Sequence, residues 1–245
     1  LHRRRHSFPT RRSSDLEQGG GGGGGGGEDH GRRRRRVEVG PGAAGGERQE
    51  GGGEKRAARE INIGTTLALN GYVGMSIDYL LANKDHPGPT WPQNLHDCKT
   101  AVRWLRANAE RLQIDADHIG VIGGSAGGHL AAMVGLCGGE LDPPGEGDCR
   151  VQCAVDLYGP VLWFEQRDLA MFRKTRAEAP ELYKQGDPRS HIDKNDPPLL
   201  ILHGTADKTV AVADSEALAA AMKAAGSAYQ IEIIPDAPHT FHLQP

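Results

Sequence analysis

The chain has no run of 18 apolar residues and no C-x-x-C pair among its four cysteines, Cys98, Cys137, Cys149 and Cys153. The first absence rules out a membrane-spanning helix, which needs about 20 apolar residues in succession. The second removes the spacing of a zinc site. Cys98 falls on the apolar face of a helical pattern, and the other three surround a Gly/Pro-rich loop in which a Cys137–Cys149 disulfide is one available pairing. Net charge is small, −3 over 245 residues, so the basic excess of a general nucleic-acid binder is lacking. There is no G-x-x-x-x-G-K-[ST], and no G-x-G-x-x-G occurs in Gly120 to Gly128. Neither phosphate-cradling fingerprint is therefore found at that glycine-rich turn.

Apolar residues are scarcest in positions 1–53, which hold seven hydrophobic residues, 17 of the 35 glycines, and 11 Lys and Arg against 7 Asp and Glu. So little apolar surface cannot offset the entropy of ordering, and the segment is expected to be disordered. His6 to Leu16 (HSFPTRRSSDL) resembles a DNA-sequencing adapter translated in one frame. The Gly and Arg tracts that follow resemble GC-rich DNA read out of frame. Residues 1–53 are accordingly set aside as an artefactual segment; a Gly/Arg-rich tail that binds RNA or directs targeting is the other reading. Residues 54–245, with a net charge of −7, hold the expected domain.

In that domain the pattern alternates. Helical spacing runs over 56–70, 91–112, 125–136 and 212–225, and short apolar runs over 72–79, 118–122, 151–158, 199–203 and 229–234 read as strands. Alternation of this kind gives a mainly parallel sheet with helices on both faces. Residues 162–196 are polar and mixed, with no clear period.

The strongest local signal is Gly123-Gly124-Ser125-Ala126-Gly127, a G-x-S-x-G between a strand pattern and a helix pattern. A nucleophilic serine needs a sharp strand-to-helix turn that projects its hydroxyl, and flanking glycines permit that turn. The helix start then offers the Ala126 amide and a positive dipole end to a developing oxyanion. The plainer reading is a structural or phosphate-binding glycine turn. Serine requires a base, and the base an orienting carboxylate, each in a loop after a strand end. Asp207 follows the strand at 199–203, and His239 follows the strand at 229–234. Asp236 and His242 compete for these roles, and Asp207 also suits a turn. His96-Asp97-Cys98 are consecutive on a helix, face different directions, and read as structural. Trp163 and Phe164 follow a strand end and suit either pocket lining or packing.

Together the elbow, HGTADKTV (His203–Val210), the PHTFH ending, MSIDYLLA (Met75–Ala82) and DCKTAVRWLRANAERLQID (Asp97–Asp115) resemble the α/β-hydrolase superfamily. The similarity is to its acetylxylan-esterase-like and hormone-sensitive-lipase-like serine esterases, and it spans residues 54–245. It implies Ser125 as nucleophile, His239 as general base and acid, Asp207 as orienting acid and Ala126 as an oxyanion donor. It implies acyl-enzyme hydrolysis of small acyl esters, acetyl esters of carbohydrate among them, with no metal or organic cofactor and no nucleic-acid or membrane partner. A prolyl-oligopeptidase-type peptidase shares the catalytic order, and a non-catalytic fragment is the remaining alternative. The family's His-Gly-Gly-Gly loop is not found; Gly45 to Gly53 stands in its place. The first strands and the closing C-terminal helix are expected to be missing.

Overall fold

A computed structural model describes residues 35–41, 63–81 and 88–243. Its strands are β1 (Arg35–Pro41), β2 (Tyr72–Ile77), β3 (Ile114–Gly124), β4 (Cys153–Leu157), β5 (Leu199–Gly204) and β6 (Tyr229–Ile234). They form one sheet in the order β2-β1-β3-β4-β5-β6, every pair parallel. The helices are α1 (Gln93–Ala107), α2 (Ala109–Leu112), α3 (Ala126–Leu136), α4 (Trp163–Gln166), α5 (Pro180–Gly186) and α6 (Val212–Ala225). Among the described residues no helix is long and apolar enough to cross a membrane.

Strand β1 corrects an expectation, because it lies inside the segment whose composition argues against order. Averaging over 53 residues hides the short alternation Val37-Glu38-Val39. A central parallel strand gains backbone hydrogen bonds on both edges, and here Val39 is in register with Met75 on one side and Val121 on the other. At least one early strand is thus present. Residues 1–34 and 42–62, with the rest of that expectation, lie outside the described residues.

The core sits where the periodicity places it. Leu95, Cys98, Val102 and Leu105 recur along one stripe of α1 and are at most 1% exposed. Burial of each of the three aliphatic side chains stabilises by roughly 1.5–3 kcal/mol. The helix expected over 91–112 is broken at Asn108, whose side-chain amide donates to the Trp104 carbonyl at 2.8 Å. An asparagine that satisfies a carbonyl in this way competes with helix continuation. Both faces of the sheet are covered. Val73, Met75 and Ile77 pack on the main core. Gly74 points to the opposite face, where Leu67, in the helical residues 63–69, would lie 3.2 Å from an added Cβ.

Residues 162–196, unreadable in the sequence, fold as α4, α5 and turns around an aromatic cluster. Phe164, Phe172 and Tyr183 pack with Trp91 and with His129 of α3. His129 stacks on Phe164 at 4.7 Å and donates from Nε2 to the Gly186 carbonyl at 2.7 Å.

Two buried titratable groups, one in β4 and one in α3, act oppositely. Burial raises the Asp156 carboxyl from 3.8 to about 7; the Gly159 amide opposes this, and the charge of Asp214 adds to it. The folded protein therefore keeps a proton that the unfolded chain releases, so stability falls as pH rises from about 4 to about 7 and then levels. Burial lowers His129 from 6.5 to about 4, against the Gly186 carbonyl and Asp187. There the unfolded chain holds the extra proton, and the contribution to stability is lost as pH falls from about 6.5 to about 4. Asp156→Asn removes only the first effect. Its Tm relative to the wild type is expected to rise between about pH 4 and pH 7 and stay constant above. Thermal melts at matched pH would show this, and a difference independent of pH would contradict the assignment.

Candidate active site

β3 ends at Gly124, and α3 starts at Ala126, so Ser125 occupies the turn alone, at φ 58° and ψ −123°. A non-glycine residue held there costs about 1–3 kcal/mol. The turn is fixed from both sides. The Ser125 amide donates to the Leu157 carbonyl at 2.9 Å, and its own carbonyl accepts from the His129 amide at 3.1 Å. The helix also needs close approach to the end of β4. A Cβ on Gly128 would overlap Asp156 Oδ1 and lie 2.9 Å from the Leu157 carbonyl oxygen. As the first residue of α3, Ala126 has an amide with no helical acceptor, available at the elbow.

His239 and Asp207, from loops after β6 and β5, converge on this serine. His239 Nε2 lies 3.1 Å from Ser125 Oγ, and His239 Nδ1 lies 2.6 Å from Asp207 Oδ2. Nδ1 donates to the carboxylate, which leaves Nε2 to accept from the hydroxyl. The Asp207 side chain is fully buried. Burial pushes its carboxyl up, but hydrogen bonds from His239 and from the Val210 and Thr209 amides outweigh it and hold the group below its ordinary range. The two amides bind Oδ1 at 2.9 and 2.8 Å. A second imidazole, His203, is completely buried beside the acid, with Nε2 3.3 Å from Oδ2. It is fixed by the Val210 carbonyl at 3.0 Å and the Ser215 hydroxyl at 2.7 Å.

The competing residues go elsewhere. Asp236, at φ 57°, donates its amide to Thr205 Oγ1 at 2.8 Å and is exposed. His242 Nδ1 accepts from the Tyr158 hydroxyl at 2.7 Å. Asp97 accepts from the Leu80 amide at 2.8 Å, and Cys98 is buried, as a structural reading requires. Phe164 is buried in the aromatic cluster, while Arg167 covers the Trp163 ring at 4.0 Å. Sequence reasoning missed His203, Asp156 and Tyr158. The only available signal was their position at or beside strand ends.

A cavity of about 420 Å³ lies at the other end of α3, lined by Lys99, Cys137, Asp142 and Cys149 among others. Val134 and Gly135 of α3 also line it, and Val134 is nine positions along the helix from Ser125, roughly 14 Å at 1.5 Å per residue. Cys137 and Cys149 carry free thiols, so the disulfide considered above is not formed. Burial raises both, Cys149 to about 11, and keeps them protonated. Lys99 Nζ donates to the Cys137 carbonyl and to Asp142 at 2.6 Å.

Residues 44–222 match the family model BD-FAE. The chain belongs to the BD-FAE family. This places it among hormone-sensitive-lipase-like α/β-hydrolases, and the parallel sheet with helices agrees. The BD-FAE chain is 30% identical over 205 residues to Esterase LipC of Mycobacterium tuberculosis, covering 77% of this chain and 50% of that protein. It thus spans about half the length of that curated relative. The Thermogutta terrifontis esterase Est2, solved with propionate bound, superposes with TM-score 0.66 and 30% identity, covering 85% of this chain and 75% of that one. The acetyl ester-xyloside bifunctional hydrolase of Caldicellulosiruptor lactoaceticus superposes with TM-score 0.68 and 25% identity, covering 88% and 77%.

Proposed function

We propose that this BD-FAE domain hydrolyses carboxylic esters through an acyl-enzyme on Ser125. The observation that carries the reading is the unbroken hydrogen-bonded path from Ser125 Oγ through His239 to Asp207. In the first step Oγ bonds to the ester carbonyl carbon while His239 Nε2 takes the hydroxyl proton. The oxyanion forms at the Ala126 amide. His239 then passes the proton to the leaving alkoxide as the C–O bond breaks. Water attacks the acyl-enzyme, gives its proton to His239, and the acid leaves as the proton returns to Ser125. Asp207 holds the imidazole in the tautomer that each step needs and stabilises its charged form.

The substrates proposed are small acyl esters, acetyl esters first, with acetylated carbohydrate as the natural alcohol side. Support comes from the two esterase neighbours named for propionate and for an acetyl ester-xyloside. Incubation of the purified chain with p-nitrophenyl esters and a fluorophosphonate probe tests the reading. Peptide mapping should find one probe adduct, on Ser125, and turnover should fall from acetate to octanoate. No adduct, or an adduct on another serine, would remove the acyl-enzyme at Ser125. A preference for octanoate would remove only the small-acyl part.

A further inference from the structure

We propose that Tyr158 and His242 form a hydrogen-bonded clamp that sets the position of the His239 imidazole, which makes both of them positioning residues for ester hydrolysis. The inference rests on His239 being the base.

The loop that carries His239 is under strain. Asp236 at φ 57° and Thr240 at φ 63° stand on either side of it, both in the left-handed region. Such residues persist only where the surroundings over-determine them. Before His239 the loop is tied to the segment that follows β5. The Ala206 amide donates to the Ala237 carbonyl at 3.0 Å, and the Asp236 amide meets Thr205 Oγ1 at 2.8 Å. After His239 the backbone bonds are local, Phe241 amide to Pro238 carbonyl and Leu243 amide to Thr240 carbonyl. A long-range hydrogen bond on this side runs from the Tyr158 hydroxyl to His242 Nδ1, 2.7 Å and 84 residues apart in sequence.

Tyr158 is well placed to act as the fixed half of a clamp. It is 1% exposed, sits at φ 48°, and its amide is held by the Leu202 carbonyl at 2.8 Å. Its ring centroid lies 4.6 Å from that of His239 and 5.5 Å from that of Phe241. The same pair reaches the elbow. A Cβ on Gly124, the residue before Ser125, would stand 2.7 Å from the Tyr158 hydroxyl and 3.4 Å from His242 Cε1. Ring and hydroxyl together therefore reference the base loop to the chain that holds the nucleophile. The Oγ–Nε2 separation of 3.1 Å is then set by three anchored elements instead of one loop.

The test uses Tyr158→Phe, which keeps the ring and removes the donor, and His242→Ala, which removes the acceptor. His242→Asn offers an acceptor near the Nδ1 position. With p-nitrophenyl acetate, Tyr158→Phe and His242→Ala should each lower kcat roughly 10- to 100-fold, the scale of a base misplaced by up to about 1 Å, with KM within about twofold. The double variant should be no slower than the worse single one, because both remove the same bond. His242→Asn should recover most of the loss, which a purely structural role would not require. Additive losses, a raised KM with kcat intact, or unchanged kcat would overturn the clamp. The Nδ1 proton of His239, shared with Asp207, gives a reading free of turnover. Its NMR signal should broaden in Tyr158→Phe and stay sharp in His242→Asn, and a sharp signal in both would overturn the clamp. Should the wild type leave Ser125 unlabelled by the probe, the esterase reading fails by itself while the NMR comparison still decides the clamp.

Discussion

Ser125→Ala and His239→Ala are each expected to lower kcat by about 10⁶, and Asp207→Asn by about 10⁴, with p-nitrophenyl acetate turnover as the measure. Removing either of the first two leaves no nucleophile or no proton acceptor, so the effects should not add in the double variant. The asparagine effect has a different origin. Asp207 Oδ2 receives the Nδ1 proton of His239 at 2.6 Å while Oδ1 receives two amides. With the amides holding the carbonyl oxygen of the asparagine at the Oδ1 position, its NH₂ faces Nδ1. The imidazole must then accept there and carry its proton on Nε2, the atom that has to accept from Ser125. The geometry survives and the tautomer is wrong. Ser125→Ala and Asp207→Asn keep the side-chain volume nearly unchanged, and His239→Ala removes a ring that is 19% exposed, so circular dichroism of all three should match the wild type. An Asp207→Asn enzyme within tenfold of the wild type would assign the orienting role to another group, His203 being the nearest candidate at 3.3 Å from the carboxylate.

The residues that were legible in the sequence are those whose constraint is local. The elbow is legible because a strained turn must be written within G-x-S-x-G, and Ser125 indeed stands at φ 58° between β3 and α3. The placement of Asp207 and His239 beside Ser125 is legible because loops that follow the ends of parallel strands gather at one edge of the sheet, although the contact between them spans 32 residues. The bounds of α6 read directly from the sequence because Gly226, at φ 70°, stops the helix by local geometry. Illegible features depend on distant partners. β1 is ordered by strands on both sides of it, which no seven-residue window reveals. Residues 162–196 are organised by aromatic contacts to Trp91 and His129, and their own polarity suggests only a loop. Tyr158 looks like an ordinary strand-end tyrosine until His242 arrives from 84 residues away.

Gly204→Ala is expected to damage stability and catalysis together, by a route that touches none of the side chains of Ser125, His239 and Asp207. Gly204 ends β5 in register with Ile234 of β6. An added Cβ would overlap the Ala237 carbonyl oxygen and lie 2.6 Å from the carbonyl carbon and 2.8 Å from the Ala237 side chain. The obstacle is mainly backbone, so no rotamer change relieves it. The chain at Ala237 must retreat by about 1 Å, and it carries the carbonyl that accepts from the Ala206 amide at 3.0 Å. Such overpacking costs on the order of 1–3 kcal/mol, or roughly 3–10 °C in Tm for a domain of this size. The geometry makes the catalytic loss larger. Ala237 is two residues before His239, and Gly204 is three before Asp207, so the wedge drives the base loop away from the acid loop. A 1 Å misplacement costs about 10² in rate, beyond what the lost stability explains at 25 °C. Gly226→Ala provides the contrast. That glycine has φ 70° and nothing within 4 Å of an added Cβ. The substitution should cost about 1 kcal/mol of backbone strain and leave kcat unchanged. Melting curves and kcat for the two variants separate the causes. A Gly204→Ala enzyme with wild-type kcat would mean that the Ala237 segment yields without moving His239. The loop ties on that side would then not be what holds the base in place.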